Sequence, residues 1–154
     1  MKTYILKRQQ NLPLTIEACW HFFSNPQNLP SITPDWLNLT MCSHPAESTY
    51  AGQLIEYRVT PLKNFSCHWL TEITHVEPPF FFVDEQRSGP YRFWHHQHHF
   101  EQAATGILMT DIVHYQLPFG IFGQWAQSLV AKKLQQIFDY RAQTLSRLFP
   151  GNDI

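Results

Sequence analysis

Gly89–Glu101 reads GPYRFWHHQHHFE, with four histidines inside five positions and aromatic residues on both sides. Trp94, His96, His98 and Phe100 alternate with His95, Gln97, His99 and Glu101. Side chains on a strand point to opposite faces in turn, so a period of two reads as a strand. The first set holds the large apolar rings, which places it toward the core. His96 and His98 then face inward, while His95 and His99 face solvent. On a regular strand this excludes a metal cage built from all four histidines.

Working outward, the same period runs from Asp35 to Leu117. Strands are predicted near 36–43, 52–60, 65–76, 80–87, 91–103 and 106–117. Turn signals separate them: His44-Pro45, Leu62 to Asn64, Pro78-Pro79, Ser88-Gly89-Pro90 and Ala104 to Gly106. Short links between successive strands make an antiparallel meander. Upstream, 3–11 reads as a first strand. Thr15 is placed as the N-cap of a helix carrying Ile16, Cys19, Trp20 and Phe23 at helical spacing. Asn25-Pro26 ends that helix, and a short helix or turn fills 27–32. Beyond Pro118 and Gly120, 121–149 reads as one helix about 40 Å long. Ala126, Val130, Leu134, Ile137, Arg141, Leu145 and Leu148 fall on one of its faces. The expected fold is therefore α+β: a strand, two short helices, six strands and a long C-terminal helix. That helix covers the apolar face of a seven-stranded, curved antiparallel sheet and leaves a space beneath it.

Parity sorts the other strands. The inward sets are Ile55, Tyr57 and Val59; Phe65, Cys67, Trp69, Thr71 and Ile73; and Ile107, Met109, Asp111, Val113, Tyr115 and Leu117. In 80–87 we take Phe80, Phe82, Asp84 and Gln86 as inward, because the opposite set holds Glu85 and Arg87. Asp84, Asp111 and Arg141 thus interrupt apolar stripes. Buried charge is costly unless paired, so these three, His96 and His98 are expected to meet one another or water in a cavity.

Each candidate has a plain reading beside a functional one. His96 and His98 are hydrogen-bonded structural residues or ligand contacts. With an acid they would also match a zinc or iron donor set, but the motif is weak, and we expect no metal and no cofactor. Arg141 and Asp111 form an internal ion pair, or offer a fork to a ligand carboxylate or carbonyl. Trp69, Trp94, Phe65, Phe82, Phe100 and Tyr115 line a pocket or fill a core. Phe119, Phe122 and Trp125, where the last strand enters the helix, gate the cavity, meet a membrane or partner, or pack under the short helices.

Composition narrows the class. A length of 154 residues fits one domain spanning 1–154. The net charge is −1, with no basic stripe, so nucleic acid is not an expected partner. Cys19, Cys42 and Cys67 are odd in number and widely spaced, which fits a reduced, cytoplasmic protein. The opening MKTYILKRQQ turns polar too soon for a signal peptide. No apolar run approaches the about 18 residues of a membrane span, and GxGxxG does not occur.

In order along the chain, several motifs resemble the SRPBCC ligand-binding group. They are Phe22-Phe23, Asn28-Leu29, Ile32-Thr33-Pro34, Gly52, Tyr57 and Trp69. Next come Asp84-Glu85-Gln86, Gly89-Pro90-Tyr91, the Trp94/His96/His98/Phe100 alternation and Gly106. Asp111/Val113/Tyr115, Pro118-Phe119-Gly120 and Tyr140-Arg141 complete the series. The likeness covers nearly the whole chain. It implies the helix-grip fold of the START-like, pollen-allergen-like superfamily, which includes polyketide cyclases, coenzyme-Q-binding proteins, lipid-transfer domains and plant-hormone receptors. Similar sequences are labelled cyclase/dehydrase-like or are joined to sugar-nucleotide epimerase-like domains. The expected function is binding of a small hydrophobic or amphipathic molecule (an isoprenoid, polyketide or lipid-like compound) between sheet and helix. The expected ligand-binding residues are Tyr57, Trp69, Asp84, Gln86, Trp94, His96, His98, Phe100, Asp111, Tyr115 and Arg141. Two alternatives stay open: a cyclase/dehydratase-type enzyme using the same cavity, and an accessory interaction module. The resemblance assigns no reaction, no catalytic residue and no protein partner.

Overall fold

The computed structural model describes residues 2–118, 120 and 125–151. Seven strands form one antiparallel sheet: β1 (Tyr4–Leu12), β2 (Thr40–Met41), β3 (Leu54–Leu62), β4 (Phe65–Glu77), β5 (Phe81–Ser88), β6 (Phe93–Gln102) and β7 (Ile107–Gln116). Their order across the sheet is β1-β7-β6-β5-β4-β3-β2. β1 and β2 are consecutive in the chain yet occupy opposite edges, so the segment between them must cross the whole sheet. Helix α1 (Ile16–Phe23) and two short 3-10 helices, Pro26–Ile32 and Asp35–Leu37, make that crossing. Helix α2 (Gln127–Leu148) then covers the same face. This is the helix-grip arrangement.

Local chemistry sets the boundaries. Thr15 Oγ1 accepts from the Ala18 N–H at 3.2 Å, the N-cap bond its position requires. The strand expected at 36–43 shrinks to Thr40–Met41. Pro34 leads into a 3-10 turn, and Asn38 takes a left-handed backbone with φ 47°, so extended geometry resumes only at Thr40. Register slips between Val59 and Leu62, at Leu70/Thr71 and between Ile73 and His75 interrupt the central ladders. Such bulges bend a strand and raise its twist, which curls the sheet around α2. Gly106 turns β6 into β7 with φ +86°, and a Cβ there would stand 2.1 Å from the Leu12 carbonyl oxygen.

The helix face differs in detail from expectation. Leu134, Phe138, Arg141, Thr144 and Leu145 are buried. Ala126 and Leu148 lie on the expected face but are exposed, because both sit in terminal turns with little opposite them. Residues 119 and 121–124 lie outside the described residues, so the expected Phe119/Phe122/Trp125 cluster does too, except for Trp125, which is largely exposed. Gln10 ties β1 to α2 by donating to the Ala142 carbonyl at 3.0 Å and to Ser146 Oγ at 3.1 Å. No described helix is long and apolar enough to cross a membrane.

The core divides into three clusters. Leu12, Cys19, Phe82, Phe100, Ile107 and Leu145 pack beneath α1. Trp94, Val113, Tyr115, Leu134 and Phe138 pack beneath the first half of α2. Ile55, Tyr57 and Ile73 form the third on β3 and β4. Between them the interior is hollow.

Candidate functional site

The hollow is a cavity of about 980 Å³. Ile55, Tyr57 and Val59 of β3, and Cys67, Trp69, Thr71 and Ile73 of β4, form its floor. Phe22, Phe23, Leu29, Ile32, Trp36 and Leu37 close one side, and Val130, Leu134, Ile137, Phe138 and Arg141 of α2 roof it. Asp84, Trp94, His96 and His98 form a wall on β5 and β6.

Register builds that wall. Asp84 pairs with His96 across β5–β6, and His98 pairs with Asp111 across β6–β7. All four side chains lie on the inner face of three adjacent strands. His96 Nε2 is 2.9 Å from Asp111 Oδ1, and its Nδ1 is 3.3 Å from Asp84 Oδ2. His98 reverses the pattern: its Nε2 is 2.7 Å from Asp84 Oδ2 and its Nδ1 is 3.1 Å from Asp111 Oδ1. The imidazole centroids are 3.8 Å apart. Each carboxylate therefore meets both imidazoles in a closed ring of four contacts. Two of the four, His96 Nε2 with Asp111 and His98 Nε2 with Asp84, are hydrogen bonds.

The electrostatics agree. Burial alone would lower His96, but the charge of Asp84 and the hydrogen bonds with Asp111 and Asp84 outweigh it and raise the group to about 9. Burial would raise Asp84, yet the charge and hydrogen bond of His96, and then those of His98, hold it well below the usual carboxylate range. Asp111 is likewise opposed by burial and held far down by hydrogen bonds with His96 and His98. Burial, with the charge of Asp84, raises the Tyr57 phenol, so it stays a neutral donor. Burial pushes the Cys19 thiol up to about 12 and also raises Cys67, which leaves neither as a thiolate nucleophile at neutral pH.

Arg141 is less engaged than its charge demands. Its Nη1 is 3.9 Å from Asp111 Oδ1, too far for a hydrogen bond. Its Nε is buried without a partner among the described residues, and its guanidinium lies 4.8 Å over the Phe138 ring. The side chain is only 9% exposed and lines the cavity.

Seven of the eleven residues expected to bind ligand stand on the cavity wall: Tyr57, Trp69, Asp84, Trp94, His96, His98 and Arg141. The other four stand behind it. Asp111 is 1% exposed, screened by the imidazoles it anchors. Phe100 and Tyr115 fill the flanking core clusters. Gln86 clamps the 89–91 turn, donating to the Tyr91 carbonyl at 2.6 Å and accepting from its N–H at 3.1 Å. Of the expected inward residues, Phe80 is exposed on the turn before β5, and Phe65 is exposed although it lines the cavity. His95 and His99 face outward as parity requires, His95 Nδ1 lying 2.7 Å from Glu85 Oε1. Sequence reasoning missed Phe138, which stood one position from the counted face, and Trp36, which was read as a strand residue.

No protein-family model matches the chain, nor does any curated protein. Solved structures do. A Thermus thermophilus protein, 15% identical, aligns over 94% of this chain and 95% of its own with a TM-score of 0.67. Major latex-like protein 151 from Panax ginseng, 12% identical, aligns over 96% and 97% with a TM-score of 0.69. A nucleoside-diphosphate sugar epimerase from Corynebacterium glutamicum, 20% identical, matches 91% of this chain with 28% of its own length, at a TM-score of 0.64. Topology and structural likeness agree with the fold that the resemblance carried by the sequence implies: the chain has the helix-grip fold.

Proposed function

We propose that residues 1–154 act as one domain that binds a small apolar or amphipathic molecule between the sheet and α2. The observation that carries this reading is a cavity of about 980 Å³ whose lining is mostly apolar except for one polar wall. Small-molecule sites run to roughly 300–1,000 Å³ and combine apolar surface with a few fixed polar groups. An isoprenoid, polyketide or lipid-like body would lie against Ile55, Val59, Trp69 and Leu134. Its oxygen-bearing end would meet Arg141, whose Nε lacks an acceptor among the described residues, beside His96, His98 and Asp84. Gln86, Phe100, Asp111 and Tyr115 support these contacts from behind. The three free cysteines fit a reduced, cytoplasmic setting.

A cyclase- or dehydratase-type reaction is a second reading. It is favoured by the Asp84–His98 contact of 2.7 Å on the cavity surface, a carboxylate–imidazole pair suited to moving a proton.

Native mass spectrometry of freshly purified protein and displacement of an anilinonaphthalene dye by fatty acids test the binding reading. Wild type should take up the dye and release it to an apolar competitor. Ile137→Trp, which fills the roof, should weaken uptake at least about tenfold, or 1.4 kcal/mol, with unchanged far-ultraviolet circular dichroism. A wild-type chain that is empty and takes no dye would refute the reading.

A further inference from the structure

We propose that Asp84, His96 and His98 form a binding site for one first-row divalent transition-metal ion. One donor atom from each residue lies within 4.8 Å of the other two. Asp84 Oδ2 is 3.3 Å from His96 Nδ1 and 2.7 Å from His98 Nε2. Ligands held about 2.0–2.1 Å from an ion at near-tetrahedral angles stand about 3.3 Å apart. Asp84 and His96 already stand at that spacing, and an ion entering this space needs Asp84 and His98 to part.

The groups behind these donors strengthen the assignment. The far ring nitrogens, His96 Nε2 and His98 Nδ1, both face Asp111 Oδ1, at 2.9 and 3.1 Å. A carboxylate on the remote nitrogen fixes the tautomer and orientation of an imidazole that ligates metal. Trp94 Nε1 donates to the other oxygen of Asp84 at 3.3 Å. All three ligands are therefore held from the side away from the ion. Asp111 is sealed off, whereas Asp84, His96 and His98 line the cavity. Ion and exchangeable ligands can arrive from that side.

Two imidazoles and one carboxylate favour zinc, iron, copper or nickel over calcium or magnesium. Three protein ligands leave the remaining positions to water or to an oxygen atom of a guest. The sequence argued against a metal because the motif is weak. The register of β5 against β6 sets Asp84 directly opposite His96.

The site does not depend on the cavity taking an organic guest, and the two are titrated separately. Untagged protein, stripped with a chelator, is titrated with cobalt(II) and then zinc(II) in a non-coordinating buffer near neutral pH. Visible d–d absorption should saturate at one cobalt per chain, and zinc should displace it. Asp84→Ala and His98→Ala should each weaken binding at least about tenfold, the lower bound for losing even an outer partner. His99→Ala, on the outer face, should leave it unchanged. If the cavity variants fail to fold, the wild type decides: zinc should shift the ring ¹⁵N resonances of His96 and His98. Absence of saturable one-to-one binding, or binding that survives Asp84→Ala and His98→Ala but is lost in His99→Ala, would overturn the proposal. So would unmoved His96 and His98 resonances at saturating zinc.

Discussion

Replacing Asp111 by alanine should cost the fold about 3–5 kcal/mol, the range for removing one member of a buried ionic set. Asp111 is 1% exposed and touches both imidazoles and, more distantly, Arg141. Its loss strips two rings of their far-side acceptor and leaves Arg141 with no anion within ion-pair range among the described residues. Arg141→Ala should cost less, about 1–3 kcal/mol, because Arg141 makes no hydrogen bond among the described residues and Asp111 keeps both histidines. In a chain of this size 1 kcal/mol moves the melting temperature by about 2–4 °C. Asp111→Ala should therefore melt roughly 6–20 °C below wild type, and Arg141→Ala by less. Thermal and urea unfolding followed by circular dichroism, with chelator present, measure both. A cost below about 1 kcal/mol for Asp111→Ala, or a larger cost for Arg141→Ala than for Asp111→Ala, would show that the histidines do not anchor this carboxylate.

Stability of the metal-free chain should peak in mildly acidic solution. The folded His96 sits at about 9, above its unfolded value of about 6.5, so its contribution is complete below pH about 6.5 and fades as pH rises through 9. Asp84 and Asp111 are depressed, so theirs is complete above pH about 4 and is lost as pH falls through their folded values. These are two views of the same contacts and do not add. Urea midpoints flat from pH 5 to 9 would contradict the ring. Glycine substitutions separate strain from collision. Gly52→Ala, at φ +89° with nothing within 4 Å of the new Cβ, should cost only the left-handed penalty of about 1–2 kcal/mol. Gly106→Ala drives its Cβ onto the Leu12 carbonyl and should lower the melting temperature clearly further; equal losses would mean the turn does not press on β1.

Period two was enough to assign faces in β3, β6 and β7, where every residue taken as inward in the described strands is buried. It was enough because alternation on a half-buried sheet is enforced residue by residue: a slip of one would turn Trp94 and Phe100 to solvent and Gln97 to the core. Parity names a face but not a neighbour. That Asp84 meets His96 and Asp111 meets His98 follows from register, which is set by the 89–92 and 103–106 turns. Gln86 shows the same limit: it shares a parity with Asp84, yet it lies where β5 runs out and is taken by the backbone of Tyr91. β2 was overcalled because Trp36 and Leu37 are apolar enough for a strand, and only Pro34 and the left-handed Asn38 betray the turn. The cavity was the least legible feature. Its walls are made of residue types that also fill cores, so Ile55 on the cavity and Phe100 away from it look alike in sequence. What distinguishes them is how far the bulged strands carry β3 and β4 from α2. The charged residues were the usable signal. A ring of two acids and two imidazoles, with an underused guanidinium beside it, is costly inside a filled core and far less so beside a hollow that admits water, an ion or a guest.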